Sequence, residues 1–270
     1  FWTQVVDIEL PSIIEFERPA GGASAISEAA DLLSNAKFPV ILSGAGVVLS
    51  DAIEDCKNIA EKLDAPVACG YQHNDSFPGK HPLAVGPLGY NGSKAAMEII
   101  SKADVVLALG TRLNPFSTLP GYGIDYWPKE AKIIQVDINS DRIGLAKKIS
   151  VGICGDAKLV AKQILDQLSS TAGDDGREDR KALIHQTKSS WLQTLTSLDH
   201  EEDDEGTSWN KDSRERDPDR MSPRMAWRAI QAGLPDNAII SSDIGNNCAI
   251  GNAYPTFEQG RKYLAPGLFG

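Results

Sequence analysis

The chain has 270 residues, of which 41% are hydrophobic and 24% are charged, and its formal net charge at pH 7 is −10. Such a composition is that of a globular protein with room for one large domain and parts of others. The negative charge argues against binding to nucleic acid or anionic lipid, since both would repel it. No stretch reaches the roughly 18 apolar residues of a membrane span, and a cytoplasmic setting is therefore the default expectation.

Both ends of the sequence have features of a longer chain. It begins with Phe1 rather than Met, and Trp2 to Leu10 has the pattern of a strand end. At the other end, Gly270 closes a glycine-rich turn. We therefore expect this sequence to be a segment of a larger protein.

The cysteines predict reduced thiols rather than a zinc site or disulfides. They are widely separated, and no pair has the CxxC spacing of a metal or redox motif. Most lie in apolar or helical patterns, where a thiol packs as a small hydrophobic group. The four positions are Cys56, Cys69, Cys154 and Cys248.

Helical and strand-like patterns alternate from residue 23 to residue 168. Short apolar runs bounded by turn residues predict buried strands, and 3.6-residue apolar spacing predicts the helices between them. The alternation favours an open, mostly parallel α/β sheet flanked by helices, with ligands beyond the carboxyl ends of the strands. Strands are predicted at 39–42, 66–69, 104–109, 132–136 and 151–154, and helices at 23–36, 51–63 with Asp51 as its cap, 94–102 and 156–168.

The pattern changes after Leu168. Residues 169–220 combine a polar helix, predicted at 181–198, with an acidic run and a mixed-charge stretch. This segment is interpreted as a solvated linker, with a tail that binds a basic partner as the alternative. Order resumes with a helix starting at Ser222-Pro223 and a strand at 238–241. Residues 221–270 thus predict the start of a second α/β domain, too short to build a core alone.

A Gly-Ala-Gly sequence follows the first predicted strand at residues 44–46. Glycines in this position let the backbone approach a pyrophosphate in dinucleotide-binding folds. The third glycine of that fingerprint is absent, and the second strand ends in Cys69-Gly70 without an acidic residue. A tight strand-to-helix turn without a ligand is the favoured interpretation.

Polar residues follow two other predicted strands. His73, with Asn74 beside it, comes after the second strand and is either a substrate-facing group or a hydrogen-bonded loop residue. Arg112 follows the third strand, where its guanidinium either binds an anion or pairs with Asp137. The residues alone leave both alternatives open.

Small and amide residues at 244–247 follow the strand of the second domain. They either offer N–H donors to a diphosphate or form an Asx-type turn. No Ser-His-Asp order, HExxH, Walker or kinase motif is present. The residues alone therefore indicate a nucleotide-like α/β layer without committing to a reaction.

Three segments resemble the central domain of thiamine-diphosphate enzymes of the acetolactate synthase and pyruvate oxidase kind. They are HPLAVGPLGYNG (81–92), LGTRLNPF (109–116) and QVDINSDRIG (135–144), in the same order as in that family. Residues 1–11 resemble the end of the preceding pyrimidine-binding domain, and 221–270 the opening of the diphosphate-binding domain. The resemblance thus implies a central domain at 12–168 and a linker at 169–220.

Longer strings, such as GYQHNDSFPGKHPL (70–83) and GTRLNPFSTLPGYGIDYWP (110–128), resemble one branch of this family. That branch uses thiamine diphosphate and Mg²⁺ to convert sulfoacetaldehyde and phosphate into acetyl phosphate and sulfite during taurine and sulfonate breakdown. The resemblance therefore implies an acyltransferase that binds two anionic substrates.

The resemblance also implies the residues that hold the cofactor. Ile244, Gly245, Asn246 and Asn247 match the family's loop beneath the cofactor diphosphate, and Gly270 matches a glycine of the next contacting turn.

His73, Asn74 and Arg112 lie on segments that approach the active-site entrance in the family, which implies a substrate-channel or sulfonate-binding role. No catalytic residue is expected within this segment.

Two functional elements of the family are expected outside residues 1–270. The GDG metal-binding motif should follow Gly270, and the glutamate that activates the pyrimidine ring should precede Phe1, so no metal ligand is expected here. Because the family's active sites form between two subunits, we expect a homo-oligomer, dimer or tetramer, and no turnover by this chain alone.

Three alternatives remain open at this point. The first is a stand-alone module that binds ADP or FAD, as some central domains of this family do. The second is an acetolactate synthase-like enzyme with a 2-oxo acid substrate. A dinucleotide-dependent oxidoreductase is the third, and the missing acidic ribose partner argues against it.

Overall fold

The computed structural model describes residues 9, 16–70, 72–90, 92–169, 176–200, 223–243 and 245–265. Within the helices, the side chains of residues 198–200 and 246–249 are not described. We call the described residues between 16 and 169 the sheet unit, and those between 223 and 265 the C-terminal unit.

The sheet unit is built on six parallel strands. They are β1 (Pro39–Ser43), β2 (Val67–Cys69), β3 (Ala84–Pro87), β4 (Val105–Leu109), β5 (Lys132–Asp137) and β6 (Val151–Cys154). Their spatial order is β3-β2-β1-β4-β5-β6, the doubly wound arrangement whose direction of winding reverses between β1 and β4. The predicted parallel sheet is confirmed, although β3 was not predicted.

Helices cover both faces of the sheet, so its central strands are buried along their whole length. Every residue of β1 and of β4 is buried, as expected for a parallel strand covered on both faces. Five helices belong to the sheet unit: α1 (Ala23–Ser34), α2 (Ala45–Leu49), α3 (Ile53–Leu63), α4 (Lys94–Ile100) and α5 (Ala157–Gln167). Of these, α5 packs against both α1 and α3.

The predicted cap of the third helix is wrong. Asp51 does not cap it, because α3 begins at Ile53 after Ala52, whose side chain makes no capping bond. Asp51 instead has a φ of 59°, in the left-handed region of a turn that joins α2 to α3. The short helix α2, not predicted from the sequence, occupies the residues immediately before that turn.

A long helix, α6 (Arg177–His200), lies against the sheet unit and packs on α4. Arg180 is 2% exposed and anchors it. Its guanidinium donates to three carbonyl oxygens, of Lys37 at 2.7 Å, Leu63 at 2.7 Å and Asp64 at 3.1 Å. The predicted polar helix is therefore present, and its first turns are docked on the body of the protein.

The C-terminal unit contains two helices and two short parallel strands. They are α7 (Pro223–Gly233), β7 (Ile240–Ser241), α8 (Asn246–Ala253) and β8 (Tyr263–Leu264). Pro223 is the first residue of α7, as the sequence predicts. The unit rests on the loop that follows β2, where Gly79 N–H donates to Phe257 O at 2.8 Å.

Several predictions fall outside the described residues. They are the strand end at 2–10 apart from residue 9, and residues 170–175 and 201–220 of the predicted linker. The proposed cofactor residues Ile244 and Gly270 also lie outside the described residues. Within the part of the chain that is described, no helix is both long and apolar enough to cross a membrane.

Candidate cofactor and ligand sites

A cleft of about 460 Å³ opens at the carboxyl ends of β1, β2 and β4, where the winding of the sheet reverses. Ligands of doubly wound sheets bind at this place, because strand ends and helix starts present free backbone groups there. Three arginines and one histidine contribute to the lining. The lining includes Arg18, Gly44, Gly46, Gln72, His73, Gly110, Arg112, Asp137, Arg142 and Asp156.

Close packing explains the glycines of the first turn. A Cβ on Gly44 would lie 2.6 Å from Gly110 O, and one on Gly46 would lie 2.6 Å from the Cα of Gly110. The turn after β1 therefore lies directly on the end of β4. These contacts support a tight turn that only glycine permits, whether or not a ligand binds above it.

The arginines of the cleft differ in their partners. Arg18 pairs with Asp156 at 2.8 Å, and Asp156 also caps α5 by accepting from Lys158 N–H. Arg112 is exposed and forms no ion pair with Asp137, whose carboxylate accepts from Asn139 N–H at 2.9 Å. Among the described side chains Arg112 has no ionic partner, which leaves its guanidinium available to an anion in the cleft.

His73 lies in the same cleft as Arg112. Burial lowers the pKa of its imidazole, an effect opposed by the Asp75 carboxylate and reinforced by the Arg112 guanidinium. A neutral imidazole beside a guanidinium that has no ionic partner in the described part of the chain suits a hydrogen bond to an anionic or polar ligand. The structure therefore brings two of the three predicted channel residues together.

Asn74, the third predicted channel residue, lies elsewhere. It is 5% exposed, and its side-chain amide donates to Asn252 O in the C-terminal unit. Its neighbour Asp75 is 2% exposed and accepts from the backbone N–H groups of Lys262 and Tyr263. Sequence reasoning did not single out Asp75, because its partners are more than 180 residues away along the chain.

The start of α8 has the properties of an anion-binding helix terminus. Gly245 precedes it with a φ of 111°, is exposed, and has no atom within 4 Å of the place a Cβ would occupy. Gly245 has no side chain with which to cap the helix, so the first N–H groups have no capping acceptor from the preceding residue. These features fit a cofactor diphosphate held by the backbone of Gly245 and Asn246.

The described residues offer no ready metal centre. Within those ranges, no group of three or more His, Cys, Asp or Glu side chains is placed to hold a metal ion. The thiols of Cys56 and Cys69 are buried, and burial raises their pKa values to about 12 and about 11. Neither thiol is therefore poised as a nucleophile or metal ligand.

Comparison with curated proteins places the whole chain among larger relatives. It is 76% identical over 270 residues to a protein of Rhizobium meliloti (strain 1021) named probable sulfoacetaldehyde acetyltransferase, and it spans 46% of that protein. It is 73% identical over its full length to the sulfoacetaldehyde acetyltransferase of Roseovarius nubinhibens, spanning 45% of that protein. A more distant relative, the probable acetolactate synthase large subunit of Methanococcus aeolicus, is 30% identical over 91% of the chain, which spans 39% of that protein.

A family model supplies the domain assignment. The model described as "Thiamine pyrophosphate enzyme, central domain" matches residues 26–164, which include all six strands of the sheet unit, helices α2 to α4 and most of α1 and α5. Thiamine pyrophosphate is another name for thiamine diphosphate. Because the match covers more than half of the sequence, the chain belongs to the thiamine pyrophosphate enzyme family and contains its central domain.

Proposed function

We propose that this chain is part of a thiamine-diphosphate-dependent acetyltransferase that converts sulfoacetaldehyde and phosphate into acetyl phosphate and sulfite. The observation that carries the proposal is sequence identity over the full chain. It is 76% to a protein named probable sulfoacetaldehyde acetyltransferase and 73% to one named sulfoacetaldehyde acetyltransferase. The acetolactate synthase relative is only 30% identical, which makes a 2-oxo acid substrate the weaker alternative.

The C-terminal unit would hold the cofactor in this proposal. Gly245 and the backbone of Asn246 and Asn247 would bind its diphosphate, since the helix start is open and lacks a side-chain cap. Ile244 and Gly270 are proposed to contribute as well, on the resemblance alone. When bound, thiamine diphosphate supplies an electron sink for the reaction, and the protein groups bind and orient the substrates around it.

The cleft residues would serve the anionic substrates. Arg112 has no ionic partner among the described side chains and lies with His73 in the lining, which supports binding of a sulfonate or phosphate. Asn74 was proposed with them, but its side chain is buried against Asn252. We therefore propose the channel role for His73 and Arg112, and a positioning role for Asn74.

Further parts of the proposal rest on the family resemblance. We propose that Mg²⁺ accompanies the cofactor, that the whole protein is a homo-oligomer whose active sites need two subunits, and that it acts in the cytoplasm in the breakdown of taurine and related sulfonates. We also propose that residues 1–270 alone have negligible activity, because they span less than half the length of the relatives.

The direct experiment measures sulfite and acetyl phosphate formed by the whole protein from sulfoacetaldehyde and phosphate. Thiamine diphosphate, Mg²⁺ and phosphate are each omitted in turn, and the 270-residue chain is assayed in parallel. Both products should form only with the complete mixture and the whole protein. If the whole protein formed acetolactate from pyruvate and released no sulfite from sulfoacetaldehyde, the proposal would be wrong. The enzyme would then act on a 2-oxo acid.

We propose nucleotide binding in the cleft of the sheet unit as a second function. The strand order and the position of the cleft at the reversal between β1 and β4 support it, and Arg112 and Arg142 can face a phosphate. Gly44 and Gly46 do not add support for nucleotide binding, because their tight contact with Gly110 already explains why these positions are glycine.

Calorimetric titration of ADP into the 270-residue chain tests this second function. Saturable binding that weakens about tenfold in Arg142→Ala, the effect of losing one charged hydrogen bond, would support it. Lys129→Ala is the matched control, because it removes the same charge from an exposed site that is not among the cleft lining residues. Absence of saturable binding would remove this function.

A further inference from the structure

We infer that Asn74 and Asp75 are positioning residues that fix the cofactor-holding helix α8 against the sheet unit. The inference rests on the proposed function, because it assigns these side chains a role toward thiamine diphosphate. It concerns a turn of the chain whose neighbours, Gln72 and His73, line the ligand cleft. The same turn thus lies beside the ligand cleft and contacts the C-terminal unit that contains α8.

Asp75 holds the strand that supports α8. Its buried carboxylate oxygen Oδ2 accepts from Lys262 N–H at 3.0 Å and from Tyr263 N–H at 3.3 Å. Tyr263 lies in β8, which pairs with β7 at Ile240. The chain then runs from β7 through Ser242 to Gly245, the residue before α8. One carboxylate is therefore linked through the strand pair to the helix start.

Asn74 holds the opposite end of the same helix. Its side-chain amide donates to Asn252 O, a carbonyl in the last turn of α8. The Asn252 side chain in turn accepts from the Tyr263 hydroxyl at 3.0 Å. The last turn of α8 and the strand β8 are thus tied to consecutive residues of the sheet unit.

These bonds matter because the C-terminal unit has little apolar core of its own among its described residues. Its buried hydrophobic residues are Phe257 and Tyr263, whereas Ile239 and Leu264 are 61% and 57% exposed. Burial of few apolar groups gives little intrinsic stability. The polar contacts with residues 74 and 75 therefore have a large share in fixing the position of α8.

The test compares Asp75→Ala with Asp104→Ala in the whole protein. Asp104 is a matched control, since its carboxylate also accepts from two consecutive backbone N–H groups, those of Lys37 and Phe38, at 2.8 Å each within the sheet unit. Asp75→Ala should raise the KM for thiamine diphosphate at least about tenfold, with kcat at saturating cofactor within about twofold of wild type. Asp104→Ala should leave that KM unchanged.

A second readout needs no cofactor. Hydrogen exchange of the Lys262 and Tyr263 amides should be at least about tenfold faster in Asp75→Ala than in Asp104→Ala, because the acceptor of those two groups is removed. If Asp75→Ala does not fold, Asp75→Asn is used. Its amide oxygen can still accept, so exchange and KM should lie between those of wild type and the Ala variant.

The outcomes separate the inference from the function on which it rests. Wild-type cofactor affinity in a folded Asp75→Ala variant, or equal shifts in both variants, would overturn the positioning role while leaving the proposed function intact. A wild-type protein that bound no thiamine diphosphate would overturn the proposed function and the cofactor role together, whatever the amide exchange showed.

Discussion

The sheet unit and the C-terminal unit differ in how they are stabilised. In the sheet unit, the whole lengths of β1 and β4 are buried, and one continuous apolar core joins the strands to the helices. In the C-terminal unit, two short strands pair with each other, and large apolar side chains such as Ile239 and Leu264 remain exposed. The first depends on its own core, and the second on polar contacts with the first.

This difference indicates that the two units of the chain have different roles. A buried parallel sheet is a rigid platform that fixes the loops at its edge. The adjacent unit, which would bind the cofactor, takes its position from one of those loops through Asn74 and Asp75. Precise placement of the helix start is thus obtained from a neighbour rather than from local packing.

The largest effect on stability should come from shortening a buried side chain in the core of the sheet unit. Leu107 lies in β4 and is fully buried, so Leu107→Ala should lower the free energy of unfolding by about 3 kcal/mol through lost burial and a residual cavity. Urea unfolding of the 270-residue chain measures it. Leu264→Ala is the matched change in β8. Because Leu264 is 57% exposed, this change should lower the free energy of unfolding by less than about 0.5 kcal/mol. Equal losses would contradict the comparison.

An intermediate effect is expected at the helix that follows the sheet unit. Arg180→Ala removes the donor for three carbonyl oxygens and should cost about 2 kcal/mol of unfolding free energy, since buried acceptors are left unpaired. Lys181→Ala, one residue along, loses two ion pairs of a half-exposed ammonium group, with Asp64 and Glu178, and should cost less than about 1 kcal/mol. If both variants unfolded at the same urea concentration, α6 would not depend on Arg180 for its docking.

The smallest effect concerns pH. Because burial lowers the pKa of His73 in the folded protein, the unfolded chain binds more protons as the pH falls through the ordinary value of about 6.5. His73 therefore costs stability as the pH drops through that value. His73→Gln should gain stability relative to wild type between pH 8 and pH 5, measured by thermal unfolding. Parallel profiles for the two proteins would show that the imidazole does not titrate in this way.

Much of the sheet could be predicted because its signals are local. Five strands were found from short apolar runs bounded by turn residues, the pattern of strands buried on both faces. The missed strand β3 ends in Gly86-Pro87, residues typical of turns, and is an edge strand with a single neighbour. Asp51 was expected to cap a helix, but the unpredicted turn after α2 places it in the left-handed region instead.

The site was predictable only where topology alone decides it. The carboxyl ends of parallel strands meet at one edge, and this rule is enough to bring His73 and Arg112 into one cleft. The sequence could not decide whether Arg112 pairs with Asp137, because the answer depends on side-chain geometry. The structure shows no ion pair between these two residues. The role of Asp75 depends on Lys262 and Tyr263, and no local pattern encodes a contact across that separation.

The most direct measurement of the central claim separates cofactor binding from substrate binding in the whole protein. Gly245→Val places a β-branched residue at a φ of 111° before α8 and should weaken thiamine diphosphate binding by about tenfold or more, while Arg112→Ala should leave that binding unchanged. Arg112→Ala should instead raise the KM for sulfoacetaldehyde, measured as sulfite release at saturating cofactor. Unchanged cofactor affinity in Gly245→Val together with an unchanged substrate KM in Arg112→Ala would contradict the account.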